Sequence, residues 1–278
     1  MTLTHPTSPT PEAPGTPGAS APVGASGTGS EAGAEPGTEP TTEHPAAGHP
    51  QAPADARHLP LADQAPEPRE YTVSMGDLDA LAAVATVLSR WLMSPPDAET
   101  LAVACAPDML AEWPLPAERA TMRGLRELAR HRDENETAES IAADHLRLFI
   151  GPGHAVASPY ESVHRSLEGL LFDEQTLQVR EWYKRFGLSA PREGKEPDDH
   201  IALELEFVAL LLGAAEAKND DDASLFAQAV AQFTTAHLRT WAPAWFGIVL
   251  TQADTAFYRG VAHLGLGLLD ELATTFPE

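Results

Sequence analysis

The first 68 residues contain no Phe, Trp or Tyr, yet they hold 14 of the chain's 25 prolines. Without large apolar side chains, burial cannot offset the entropy of ordering a chain. The composition therefore predicts a disordered acidic tail over residues 1–68 and excludes a core there. Every aromatic residue lies in residues 69–278, a stretch of about 210 residues that suits one domain with one substantial core.

Cysteine is almost missing as well. Cys105 alone excludes an internal disulfide and fits a reducing compartment; within LAVACAPDML it reads as a small buried hydrophobe. Positive charge is scarce, with 18 Lys and Arg against 41 Asp and Glu for a formal net charge of -23, and the part from residue 69 onward keeps 17 against 33. Such a surface repels phosphate backbones, so nucleic acid is not an expected partner, and it attracts cationic peptides. No run reaches the roughly 18 apolar residues that span a bilayer. MTLTHPTSPTPEAPG has neither a basic n-region nor an apolar h-region. A cytoplasmic chain without stable membrane insertion is expected.

Alternating strand patterns with tight turns are absent too, as is any fixed-period repeat. Helical periodicity fills the space. In MGDLDALAAVATVLSRWLMSPP, residues Leu78, Leu81, Val84, Ala85 and Leu88 form one stripe that starts near Asp77 and stops at Pro95 and Pro96. Short helices follow around Cys105, over AERATMRGLRELARHRDENE and over TAESIAADHLRLFI. SLEGLLFDEQTLQVREWYKRFGL reads as one or two more, DDASLFAQAVAQFTTAHLRTWAPAWFGIVLTQ as a pair broken near Pro243, and TAFYRGVAHLGLGLLDELATTF as the last. The expected fold is all-α, a single-domain bundle of roughly nine to eleven helices over residues 69–278.

The stretch EPDDHIALELEFVALLL, residues 196–212, carries the densest chemistry. Glu196 at a cap and Pro197 at the first helical position would put Asp198 and Asp199 in the first turn, facing the positive end of the helix dipole. Ile201, Leu205, Val208 and Leu212 form a stripe that Leu203, Phe207 and Leu210 widen, which describes a helix buried on most sides. Burial does not by itself explain why His200 and Glu204 share a face at i and i+4. One reading is a helical metal-binding enzyme using His200, Glu204, Glu161 and His164, since ESVH has the Glu-x-x-His spacing of di-iron bundles. That spacing occurs once, however, where such bundles need it twice, and no Cys or His cluster has zinc spacing. GPGH at 151–154 lacks the lysine of a phosphate loop, and Ser158 and Ser162 lack the context of a catalytic triad. No catalytic residue, metal or other cofactor is expected.

EPDDHIALELEF resembles the signature of the TorD/DmsD/NarJ family of redox-enzyme maturation chaperones, a Glu-Pro-x-Asp-His stretch leading into a helix with Glu-Leu-x-Phe. DHLRLFIGPGHAVASPYESVH is similar to the family's Arg-Leu-Phe, Gly-Pro and Pro-aromatic-x-Ser-Val segment, and FTTAHLRTWAPAWF to its Phe, His-Leu, Trp-x-Pro, Phe pattern. The segments occur in family order within residues 72–275. Tyr160 stands where many members have Trp, and His164 where Tyr is common.

The resemblance implies a non-enzymatic chaperone that holds the twin-arginine leader peptide or the apoprotein of a molybdenum-containing oxidoreductase, assists cofactor insertion and delays export until the client is mature. It implies a leader-binding set of Tyr160, Glu161 and Ser162 with Glu196, Pro197, Asp199, His200, Glu204 and Phe207; Asp198 joins them on charge. Arg147, Phe149 and Trp241 fit bundle packing as well as contact. The resemblance also implies a hinge at Gly151, Pro152 and Gly153 within residues 151–160, where a monomer could exchange halves into a domain-swapped dimer. Independently of the family, a peptide with two arginines before an apolar stretch requires carboxylates beside an apolar groove.

Overall fold

The computed structural model describes residues 2–4, 71, 73–153, 155–217 and 220–277. Apart from residues 2–4, the tail expected over residues 1–68 lies outside the described residues. Those three are placed against the bundle, with Leu3 only 1% exposed.

Eleven α-helices occur among the described residues: α1 (Met75–Met93), α2 (Ala98–Ala104), α3 (Pro107–Ala111), α4 (Arg119–Asp133), α5 (Ala138–His145), α6 (Glu161–Arg165), α7 (Glu174–Arg185), α8 (Ile201–Ala217), α9 (Asp220–Ala236), α10 (Leu238–Gln252) and α11 (Ala256–Thr275). A single π turn, Leu146–Ile150, prolongs α5. The bundle is all-α, as its periodicity requires. Ser74 caps α1 by accepting the Asp77 N–H, and the stripe Leu78, Leu81, Val84, Ala85 and Leu88 is buried throughout.

Helix α8 occupies the middle and packs on α1 and α9, while α11 packs on α4 and α10. Glycine sets the α4–α11 spacing. A Cβ on Gly124 would lie 2.7 Å from Leu264 Cγ, and one on Gly260 would lie 2.8 Å from Leu128 Cδ2, so neither position has room for a larger residue.

Three local expectations are corrected. The break foreseen near Pro243 falls at His237, between α9 and α10, because His237 leaves helical geometry and its ring is held by Glu161; α10 carries Pro243 inside it. Residues 166–172 stay outside α7, which starts at Glu174 with Asp173 as its cap, and they leave Leu167, Leu170, Leu171 and Phe172 exposed. The third concerns the start of α8, which begins at Ile201 instead of Pro197.

Candidate functional site

Helix α8 starts late because the residues before it are paired elsewhere. Ile201 N–H donates to the Pro159 carbonyl at 2.8 Å, and Glu161 N–H donates to the Asp199 carbonyl at 3.0 Å. This draws Tyr160 opposite His200 in an antiparallel bridge. The Tyr183 hydroxyl donates to the Asp198 carbonyl at 3.2 Å. With those backbone groups spent, the capping position falls to His200. Its carbonyl accepts from Leu203 and Glu204 N–H, and its ring Nδ1 accepts from Ala202 N–H at 3.1 Å.

Asp198 and Asp199 are therefore not in the first helical turn. Both are fully buried, as are Glu161, Ser162 and Glu204. Asp199 accepts from the Ser162 N–H through Oδ2 and from the Thr176 hydroxyl through Oδ1, both at 2.6 Å, so it ties α6 and α7 to the start of α8. Asp198 pairs with Arg180. Glu161 pairs with Arg165 on its own helix and, at 2.8 Å, with His237 Nδ1. Glu204 accepts only a long 3.5 Å bond from the Trp241 indole N–H, and its Oε1 has no protein partner. Burial, with the charges of Glu161 and Asp199 nearby, holds its carboxyl well above the usual carboxylate range. Phe207 is core, packed edge-on against Tyr183 and Phe233.

The remaining motif residues face a cavity of about 170 Å³. Tyr160, Glu196, Pro197 and His200 line it together with Leu92, Met93, Phe149, Ile150 and Leu203. The Tyr160 and His200 rings meet edge to face at 5.2 Å. Burial pushes the His200 pKa down to about 3, in keeping with an unprotonated Nδ1 that accepts a hydrogen bond. Glu196 is half-exposed and pairs at 2.5 Å with the more exposed Arg192. An apolar cleft with a carboxylate at its edge and a neutral aromatic pair on one wall can hold an apolar side chain and pair with a cation.

The structure does not assemble the alternative metal set. His164 Nε2–H donates to the Ser158 carbonyl at 2.7 Å and its ring stacks on Trp241, while His200 turns toward Tyr160. Among the described residues, no group of three His, Cys, Asp or Glu side chains is arranged to hold a metal ion.

At the expected hinge, Gly151 has φ 63° and Gly153 φ 110°, values that favour glycine. The loop is anchored just beyond them by the Ala157 N–H, which donates to the Leu148 carbonyl at 2.7 Å.

Comparison with known proteins places this geometry in context. Residues 114–247 match the family described as nitrate reductase delta subunit. The Tat proofreading chaperone DmsD of Salmonella typhi is 30% identical over 190 residues, which are 67% of this chain and 85% of that protein. The chain belongs to the TorD/DmsD/NarJ family. Another relative, the chaperone protein TorD of Vibrio cholerae serotype O1, is 34% identical over 146 residues, 52% of this chain. The match spans 66% of that protein, just under two thirds of its length. Both relatives are named chaperones, and the matched residues include Tyr160, Glu196, Pro197 and His200 at the cavity.

Arg180, Thr176, Arg165 and His237 are the partners that the sequence left unassigned. Arg165 lies four positions from Glu161, and the other three lie 18 to 76 positions from the carboxylates they hold. Only the unusual number of acidic residues in an otherwise apolar stretch signals that such partners must exist. His145 also lines the cavity and went unnoticed, because it sits in an ordinary amphipathic turn of α5.

Proposed function

We propose that this protein is a maturation chaperone for a molybdenum-containing oxidoreductase, acting in the cytoplasm on the twin-arginine leader or the apoprotein, and that the Tyr160–His200 cavity takes the leader. The observation that carries this reading is the placing of Glu196 beside an apolar cleft built from Leu92, Met93, Phe149 and Ile150. A twin-arginine leader has the complementary order, guanidinium groups followed by an apolar stretch. The existing Glu196–Arg192 pair is half solvent-exposed and contributes little to stability. A leader arginine can therefore replace Arg192 on Glu196 at small cost. Glu193, exposed to a similar extent and paired with Lys184 at 3.4 Å, offers a second carboxylate on the same segment. The acidic surface speeds the encounter with a basic peptide.

In this reading the buried residues Asp198, Asp199, Glu161, Ser162, Glu204 and Phe207 hold the cavity walls and do not touch the peptide. Gly151, Pro152 and Gly153 are the positions at which a monomer could open for exchange into a dimer.

Calorimetry with the purified chain tests the proposal. A twin-arginine leader peptide should bind, and a Lys-Lys version should bind about tenfold more weakly because it loses the bidentate geometry. A chain that binds no leader and co-purifies with no molybdopterin apoprotein would overturn it.

A further inference from the structure

Residues Leu3 and Thr4 make contacts that a passive tail does not need. Thr4 N–H donates to the Ser189 carbonyl at 2.9 Å, and Ser189 N–H returns a bond to the Thr4 carbonyl at 2.7 Å. The Ser189 hydroxyl reaches the same carbonyl at 3.2 Å. This reciprocal pair is one rung of an antiparallel ladder. Leu3 N–H donates to Glu206 Oε2 at 3.1 Å, and the Leu3 side chain, 1% exposed, joins the core cluster that includes Leu188 and Ala190. The bonds on the body's side come from Ser189 in the α7–α8 connection and from Glu206 on α8.

That groove adjoins the cavity. Ala190, Pro191 and Arg192 follow Ser189 directly and line the cavity, as does Leu203, one helical turn before Glu206 on α8. We propose that the Ser189–Glu206 groove is a binding site for an extended peptide carrying an aliphatic side chain, that residues 2–4 of this chain occupy it, and that a client leader entering the adjacent cavity displaces them. The second half of this proposal rests on the function proposed above.

The chemistry favours exchange. Backbone pairing accepts any extended segment, and the Leu3 socket selects only an aliphatic group, so the site is undemanding about sequence. Glu206 is half-buried and receives a neutral backbone N–H from Leu3. A guanidinium in that position would give a charge-assisted bond about twice as strong. A leader that brings both arginine and apolar residues therefore has the means to expel Thr2–Thr4. Because the segment is joined covalently through residues 5–70, it competes at an effective concentration that no free tripeptide would reach.

The experiment uses the full chain and two variants, Leu3→Asp and Thr4→Pro, the first removing the socket contact and the second the Thr4 N–H. Backbone amide exchange reads occupancy without any leader. The Thr4 and Ser189 amides should be protected in the wild type; Ser189 should lose that protection in both variants, and Thr4 should lose it in Leu3→Asp. A peptide of sequence MTLTHPTS, added to Thr4→Pro, should restore protection at Ser189. Equal exchange in wild type and variants would overturn occupancy. Calorimetry reads competition: a twin-arginine leader should bind both variants about three- to tenfold more tightly than the wild type. Unchanged affinity with lost protection would overturn displacement. If neither wild type nor variants bind any leader, the proposed function falls and displacement with it, while the exchange contrast still decides occupancy.

Discussion

Asp199 and Glu196 stand three residues apart in one acidic motif and are used in opposite ways. Asp199 has no exposed surface and takes short bonds from Ser162 and Thr176 on two other elements. Glu196 is half-exposed, its salt-bridge partner Arg192 is still more exposed, and it borders the cavity. The difference teaches that negative charge in this motif has two jobs. A buried carboxylate surrounded by fixed donors organises the backbone and cannot exchange them for a guanidinium without leaving those donors unpaired. A half-exposed one, whose partner is itself hydrated, exchanges readily.

Five substitutions break or sharpen this contrast, beginning with the largest expected effect. Asp199→Ala strands a buried amide and a buried hydroxyl, and should lower the stability measured by urea unfolding by about 3 kcal/mol. A variant as stable as the wild type that had lost leader binding would move Asp199 to the recognition side.

Glu204→Gln tests the protonated member of the buried set. The folded chain holds a proton on Glu204 that the unfolded chain releases above about pH 4.3, so the wild type loses stability as pH rises from there toward the elevated folded value. Gln cannot ionise in either state. The urea midpoint of Glu204→Gln should gain on the wild type as pH rises above about pH 4.3. A gap that stays constant with pH would mean that Glu204 is charged in the fold.

On the cavity side, Tyr160→Ala and His200→Ala should each weaken leader binding about tenfold while costing under about 1 kcal/mol of stability. His200 is neutral down to about pH 3, so the wild-type affinity should show no imidazole step between about pH 5 and pH 8. Such a step in the calorimetric titration, if it disappears in His200→Ala, would place a proton on His200 in the complex, since His145 also lines the cavity. The smallest effect belongs to Glu196→Gln. It should cost about two- to threefold in affinity at low salt and nothing measurable in high salt, as for any screened surface pair.

Much of this was legible in the chain. The stripe of α1 and the apolar arc of α8 follow from spacing, because a helix that presents such side chains on most sides must be buried. The motif around residues 196–207 pointed to the family, but of its site residues only Glu196, Pro197 and His200 line the cavity, while Asp198, Asp199, Glu204 and Phe207 are buried. What spacing hid was the start of α8. A proline after Glu196 and two aspartates read as a helix start by local rules, but those rules do not count the tertiary hydrogen bonds that Pro159, Glu161 and Tyr183 make with this segment. The position of Pro243 was misjudged for a related reason. The penalty for proline inside a helix is local, whereas the buried Trp241, Trp245 and Phe246 hold α10 together across it.

The sequence by itself determined the all-α class and the family, because periodicity and motif order are properties of the chain alone; the core excluded from residues 1–68 nevertheless takes in Leu3. Tertiary structure decided which carboxylates are buried and which border the cavity. It also seated Leu3 in the groove beside α8. Burial depends on partners brought in from distant positions, and residues 161, 162, 176 and 180 meet the acidic motif only after the helices pack.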